Sequence, residues 1–212
     1  MITIHNFPRG ARGLRIMWQC EEMGVPYRMS PVTFPASEGY RALHPLGSVP
    51  FLTDDNAGVS MSESIAIMLW VTQKYGPTPL LPAKDDARLG AVLEMTMFGE
   101  AGLGAPLNSL LAARFAAPEE DKRNWSVRGQ ESRIEKNVRF VAERLTANAR
   151  AEGGAGESFL CGKELTLADI SVACGLAMWR GALGKEVPEN VAAYMDRLKE
   201  RPAYERATKA NV

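Results

Sequence analysis

Proline divides this 212-residue chain into two kinds of sequence. Nine of its thirteen prolines lie at or before Pro82. A proline breaks a helix interior, because it has no N–H to donate and its ring clashes with the preceding turn. The first part can therefore hold only short elements. Beyond Pro82 the chain is rich in Ala, Leu, Arg and Glu at helical spacing. These two patterns predict an α/β domain over 1–76, a stiff linker over 77–84 built on Pro77-Thr78-Pro79-Leu80-Leu81-Pro82, and an all-α domain over 85–212.

The elements follow from local pattern. Met1–Phe7 alternates as a strand does, and Ala11–Met23 carries Leu14, Met17, Trp18 and Glu21 at helical intervals before Gly24 stops it. Pro26–Val32 reads as a second strand, and Ser37–Leu43 as a brief helix capped by Ser37. Pro50–Thr53 and Val59–Met61 flank the turn residues Asp54–Gly58. Ser62 is the expected cap of a helix that ends near Tyr75-Gly76. The order is β-α-β-α-β-β-α. Helices are predicted at about 85–111, 118–149, 166–183, 188–201 and 202–210, with Gly102, Gly104 and Pro106 kinking the first. The glycine-rich stretch Glu152–Glu157 is expected to be a flexible loop.

Charge and composition narrow the function classes. Acidic and basic residues balance at 25 each. They balance again within each part, at six against six up to Gly76 and nineteen against nineteen beyond it. The basic footprint of a nucleic-acid binder is absent. No apolar run approaches the ~20 residues of a bilayer span, and no leader segment is expected. Cys20, Cys161 and Cys174 are odd in number and lack metal-ligand spacing, and there are only two histidines, His5 and His44. No metal site is expected. The cysteines read as buried thiols in a reducing cytoplasm.

Two short stretches suggest a ligand. In the run Leu43-His44-Pro45-Leu46-Gly47-Ser48-Val49-Pro50-Phe51-Leu52 the Val49–Pro50 bond is a candidate cis peptide. Such a bond would turn the N–H and C=O of Val49 outward, to pair with another backbone. Ten residues later Met61-Ser62-Glu63-Ser64-Ile65-Ala66-Ile67 opens a helix. Its exposed N–H groups and the Ser64 hydroxyl suit a carboxylate, and Glu63 suits an ammonium. Together these groups describe a small peptide with a free α-amino acid end. Taken alone, each stretch also reads as an ordinary helix cap or strand edge.

At this spacing and inside this element order, the two stretches resemble the glutathione transferase family, of the cytosolic type found in bacteria. Its members carry Asn-Pro-x-Gly-Lys-Val-Pro followed by Glu-Ser-x-Ala-Ile. Leu165-Thr166-Leu167-Ala168-Asp169-Ile170 resembles the capping box of the family's helical domain, and Arg201-Pro202-Ala203-Tyr204 the start of its last helix. The resemblance implies a thioredoxin-like N-terminal domain, a homodimer, and glutathione as cosubstrate. Val49, with Pro50, would hold the backbone of the glutathione cysteine, and Glu63 and Ser64 the γ-glutamyl end. Ser48 stands where many members have a longer polar side chain near the glycine carboxylate. Arg41 or His44 could replace that contact, or His44 could brace the turn before Pro45.

The family pattern breaks at the sulfur. Members usually place a Tyr, Ser or Cys beside it, because the thiolate is the nucleophile. Aligning on Phe7-Pro8 puts Asn6 at that place, and aligning on Arg15 and Trp18 puts Ala11 there. Neither has a hydroxyl. The remaining candidates are the helix start at Ala11 and Arg12, the Arg12 or Arg9 charge, and the Asn6 amide. An electrophile pocket between the domains would be lined by Phe7, Leu103, Leu107 and Leu110, although apolar residues at helical spacing equally describe core. The expected activity is addition of glutathione to small apolar electrophiles, a detoxification chemistry, in the cytoplasm. A glutathione-dependent reductase or isomerase, or a non-catalytic glutathione-binding module, are the rival readings.

Overall fold

The computed structural model describes residues 1–153 and 158–212. Most of the predicted 152–157 loop lies outside the described residues. Four strands, β1 (Ile2–Asn6), β2 (Tyr27–Pro31), β3 (Phe51–Asp54) and β4 (Val59–Ser62), form a mixed sheet in the order β2-β1-β3-β4. β1 and β2 are parallel, and the other pairs are antiparallel. Helices α1 (Ala11–Met23), α2 (Glu38–Leu43) and α3 (Ser64–Tyr75) complete the thioredoxin-like arrangement. α1 begins and ends where the pattern predicts. Gly24 follows it at φ 65°, a left-handed stop that costs a residue without Cβ least.

The beginning and end of the chain come together in one compact unit, residues 1–78 with 199–212, and residues 79–198 form the other. This corrects the expected boundary at the C-terminus. α9 (Pro202–Ala210) belongs with the sheet unit: Tyr204 packs edge-on to buried Trp18 with ring centroids 4.9 Å apart. Arg201 reaches Glu22 through two bonds of 2.6 and 2.8 Å, and Arg206 reaches Glu21 at 2.6 Å. In sequence these charges look like an ordinary solvated helix face.

The second unit is helical: α4 (Leu89–Phe98), α5 (Ala105–Ala116), α6 (Trp125–Ala151), α7 (Leu167–Ala177) and α8 (Glu189–Lys199). A π-helical segment, Gly99–Gly104, joins α4 to α5, and a second, Met178–Ala182, follows α7. The expected kink is therefore a widened turn. Pro106 has no N–H to give the carbonyl of Gly102, and the Asn137 side-chain amide donates to that carbonyl instead, at 2.6 Å. At Gly99 a Cβ would lie 2.2 Å from Ser171 Oγ, so the start of the π-helical segment and α7 approach closely only because the residue is glycine. Asn124 caps α6 by accepting from the Val127 N–H, so this helix starts later than the predicted 118.

Asp169 organises this unit. Its side chain is fully buried and accepts from the Thr166 N–H, the Thr166 hydroxyl, the Leu160 N–H and the Tyr194 hydroxyl, each at 2.9 Å. Burial pushes its carboxyl above the ordinary range, against the pull of those donors. The predicted box at Thr166 and Asp169 thus also ties the Leu160 loop and α8 to α7. The three cysteines are buried, and burial pushes the Cys20 thiol up to about 12 and Cys161 to about 11. Such thiols are not nucleophiles at neutral pH.

Asp169→Ala leaves four buried donors without their acceptor and should cost about 3–5 kcal/mol. At ~2–4 °C per kcal/mol for a chain of this size, thermal melts should drop by roughly 6–20 °C. Tyr194→Phe removes one donor only and should cost about 0.5–1.5 kcal/mol.

Candidate glutathione site

Strand register places the candidate residues at one end of the sheet. Phe51, the first residue of β3, is paired with His5 near the end of β1 and with Ser62 at the end of β4. Asn6, the last residue of β1, faces Pro31 at the end of β2. Three segments therefore leave from the same edge: the loop from β1 into α1, the Val49-Pro50 entry to β3, and the Glu63-Ser64 step from β4 into α3.

The Val49–Pro50 peptide is cis. The Val49 side chain packs against Val32, Tyr40 and Phe51, and its backbone groups have no hydrogen-bond partner among the described residues. The loop before it is braced from inside. The Tyr40 hydroxyl donates to the Ser48 carbonyl at 2.6 Å, and His44 Nε2 lies 3.0 Å from Ser48 Oγ. The buried His44 ring stacks on Phe51 at 4.5 Å and 14°. Of the two roles open to His44, the geometry takes turn bracing, and it engages the Ser48 side chain as well. Gly47, at φ 64°, sits where an added Cβ would come within 3.1 Å of the Arg41 guanidinium.

The start of α3 differs from expectation at one residue. Ser62 ends β4 and does not cap the helix; the capping position is Glu63. Glu63 stands at φ 70° and ψ 105°, a conformation that costs a non-glycine residue about 1–3 kcal/mol and persists only where its surroundings impose it. Its carbonyl accepts from the Ile67 N–H at 2.9 Å. No side chain caps α3 and its first turn has no acidic residue, so its N-terminal N–H groups and dipole are uncompensated.

Ser64 is 4% exposed, and its Oγ accepts from Arg15 Nη1 at 3.0 Å. A serine hydroxyl that accepts from a guanidinium keeps its proton to donate elsewhere. Arg15 is fully buried on α1. Its partnership with Ser64 is the feature that sequence reasoning missed. The available signal was an arginine on the same helix face as Trp18 and Gln19, where an unpaired charge would be too costly to bury.

Asn6 is occupied. Its side chain is fully buried, and Nδ2 donates to the Gly10 carbonyl and to Asn211 Oδ1, both at 3.0 Å. Asn211 donates in turn to the Gly10 carbonyl at 3.2 Å, and its own carbonyl accepts from the Arg9 N–H at 2.9 Å. Both N–H groups of the Asn6 amide are thus committed. Asn6 is corrected from a donor for a ligand sulfur to a clamp on the β1–α1 loop. Gly13 packs on it so closely that a Cβ there would lie 2.1 Å from its Cγ.

Ala11 and Arg12 are the first two residues of α1, half-buried, after Gly10, which has no side chain to cap the helix. The first turn of α1 has no acidic residue either. Phe7 is half-buried against Phe34, edge to face at 5.7 Å. Leu103 and Leu107 have no exposed surface, and Leu110 is 6% exposed. The expected pocket wall is corrected for the first two: they are core of the helical unit, as the close approach of Leu103 to Gly175 requires.

Known proteins point the same way as this geometry. The sequence model for the N-terminal domain of glutathione S-transferase matches residues 12–74. Glutathione S-transferase GstA of Escherichia coli O157:H7 is 30% identical over 175 residues, covering 82% of this chain and 78% of that protein. Glutathione S-transferase 3 of Schizosaccharomyces pombe is 37% identical over 107 residues, 49% of this chain and 43% of its own length. Among solved structures, that of the yeast protein Ure2p in complex with S-p-nitrobenzylglutathione has the same fold. Its TM-score is 0.86 at 20% identity, over 98% of this chain and 94% of that one. The 30% identity over most of both chains, on this fold, places the protein in the glutathione S-transferase family.

Proposed function

We propose that this chain binds glutathione at the sheet edge described above and adds its thiolate to small apolar electrophiles. One observation carries the reading. Register brings a backbone-pairing step at Val49, an uncapped helix start at Ser64, and a carboxylate at Glu63 to one edge. Val49 pairs with the cysteine backbone of the tripeptide. The γ-glutamyl carboxylate is held by the α3 N–H groups and the Ser64 hydroxyl, and its ammonium by Glu63. Arg41 is the cation available to the glycine carboxylate, since His44 and Ser48 engage each other. Phe7 supplies apolar surface for the electrophile. The expected assembly is a two-fold homodimer, and the expected compartment the cytoplasm.

The sulfur lies at the start of α1. The backbone there and the Arg12 charge stabilise the thiolate in place of a hydroxyl. A helix dipole contributes up to ~2 kcal/mol when partly buried, enough to bring a thiol of ordinary pKa ~8.5 to about 7. The rival reading, a binding module without transferase chemistry, is favoured by the missing hydroxyl at positions 6 and 11. The two readings separate on the ionisation of the bound thiol.

Four outcomes test the proposal. Glutathione should raise the melting temperature and release heat in calorimetry. Ser64→Ala should weaken binding by about 1–3 kcal/mol, the usual loss for a hydrogen bond to a charged group. No shift and no heat at millimolar glutathione would refute the assignment. Glu63→Gly should separate stability from binding: melts should show a gain of about 1 kcal/mol as the left-handed strain is relieved, while glutathione affinity falls. Arg12→Ala should raise the pKa read from the ultraviolet thiolate absorbance of bound glutathione, and slow turnover more at pH 7 than at pH 9. Superimposable curves remove Arg12 from the mechanism, and a wild-type value no lower than that of free glutathione favours the binding module.

A further inference from the structure

The residue that follows α9 is tied into the loop between β1 and α1. Asn211 is 4% exposed, and each of its polar atoms is engaged. Its N–H donates to the Ala207 carbonyl at 3.1 Å and closes α9, as a helix end requires. The other three groups turn to the β1–α1 loop. Oδ1 accepts from Asn6 at 3.0 Å, Nδ2 donates to the Gly10 carbonyl at 3.2 Å, and the main-chain carbonyl accepts from the Arg9 N–H at 2.9 Å. Closing α9 needs none of these three bonds. The rest of α9 is fixed to the second half of α1, through Tyr204 on Trp18, Arg201 on Glu22 and Arg206 on Glu21. The two helices run in opposite directions, so Asn211 arrives at the first turn of α1.

Two features of the loop show that these bonds hold a conformation it would not otherwise keep. Among the described residues, Arg9 at φ 61° and Glu63 at φ 70° are the non-glycine residues with positive φ, and each stands just before a helix at the same sheet edge. Such a backbone persists only where its surroundings impose it. At Arg9 the bond from its N–H to Asn211 does so. The second feature is the Gly10 carbonyl, which collects three donors. They are Asn6 Nδ2 at 3.0 Å, Asn211 Nδ2 at 3.2 Å, and the Leu14 N–H, the first bond of α1, at 3.2 Å. Asn6 turns its N–H groups to Gly10 and Asn211 and leaves its Oδ1 buried without a donor. Gly10 makes room for this amide, since a Cβ there would lie 2.9 Å from Nδ2.

We infer that Asn211 is a positioning residue for the glutathione thiolate: through Asn6, Arg9 and Gly10 it fixes how the first turn of α1 meets the sulfur. The inference rests on the glutathione reading above. Dipoles stabilise a forming charge best when they are aimed beforehand and need no reorganisation as it appears. A hydroxyl can rotate to follow a sulfur, whereas N–H groups set in a helix cannot. A site that lacks the hydroxyl therefore depends on how firmly the loop before α1 is held. Asn211 acts through that loop and touches no ligand, because its own polar atoms are committed within the protein.

The test follows the ultraviolet thiolate absorbance of bound glutathione against pH in wild type, Asn211→Ala and Tyr194→Phe. Asn211→Ala should raise the thiol pKa by about 0.5–1 unit, part of the ~1.5 units that a partly buried helix dipole supplies. At pH 5.5, where the thiol is protonated in both proteins, its glutathione affinity should stay within about twofold of wild type. Tyr194→Phe, which loosens the helical unit, should leave the thiol pKa where it is, so lost stability alone does not produce the shift. Amide exchange at Arg9, Gly10 and Ala11 should be about tenfold faster in unliganded Asn211→Ala than in wild type. If Asn211→Ala does not fold, Asn211→Ser, whose hydroxyl can still bond one partner, takes its place and should shift the pKa in the same direction. A lowered wild-type pKa with superimposable curves for the Asn211 variant would overturn this inference and leave the glutathione reading standing. An affinity loss at pH 5.5 as large as that at pH 8 would overturn it too, since that marks a collapsed site. No binding of glutathione to the wild type, or a bound thiol no more acidic than the free one, would overturn it together with the thiolate mechanism.

Discussion

The pairing of Phe51 with His5 on one side and Ser62 on the other is the constraint on which the candidate glutathione site depends. Side chains alternate along a strand, so a slip of one residue would turn every inward residue outward. It would also move Pro50 and Glu63 away from the end of β1. The slip is costly because Ile4 and Leu52 are paired and fully buried. Apolar burial thus fixes a register, and the register fixes where three polar segments leave the sheet. The site is polar, yet its geometry is set by the core.

Around that edge the protein retains buried polar groups that an apolar core would not need. Arg15 on Ser64 and Asn6 on Asn211 are both fully enclosed hydrogen-bonded pairs. Such pairs add little net stability over well-packed apolar side chains, but losing one partner is expensive. Their effect is to make a single arrangement of the β1–α1 loop and of the α3 start much better than its neighbours. Glu63 illustrates the same economy: its left-handed backbone is tolerated because the surrounding elements hold it.

The absence of a hydroxyl beside the expected sulfur position is the feature that sets this chain apart from the usual family pattern. The Asn6 amide is committed to Gly10 and Asn211, and in the proposed reading the backbone N–H groups at the start of α1 and the Arg12 charge take the place of that hydroxyl. Both act through electrostatics and not through a single directed hydrogen bond. Their effect therefore depends strongly on how much water shares the site.

How much was legible in the sequence follows from the range of each determinant. Alternation, helical spacing and the stops at Gly24 and Pro77 are local, so β1, α1, α3 and the order of elements could be read directly. The Val49-Pro50 and Glu63-Ser64 segments could be read too, because a Val-Pro step and a helix opening each restrict their own backbone. The Thr166–Asp169 box spans four residues and was equally visible. Tertiary structure alone decided the employment of Asn6, the partnership of Arg15, the return of α9 to the sheet unit, and the burial of Leu103 and Leu107. Those outcomes depend on groups brought together from afar: 49 residues separate Arg15 from Ser64, and 205 separate Asn6 from Asn211. Sequence spacing determines which face of an element a side chain occupies; what it meets there is chosen by whichever packing buries the apolar faces together and pairs most of the polar groups buried with them.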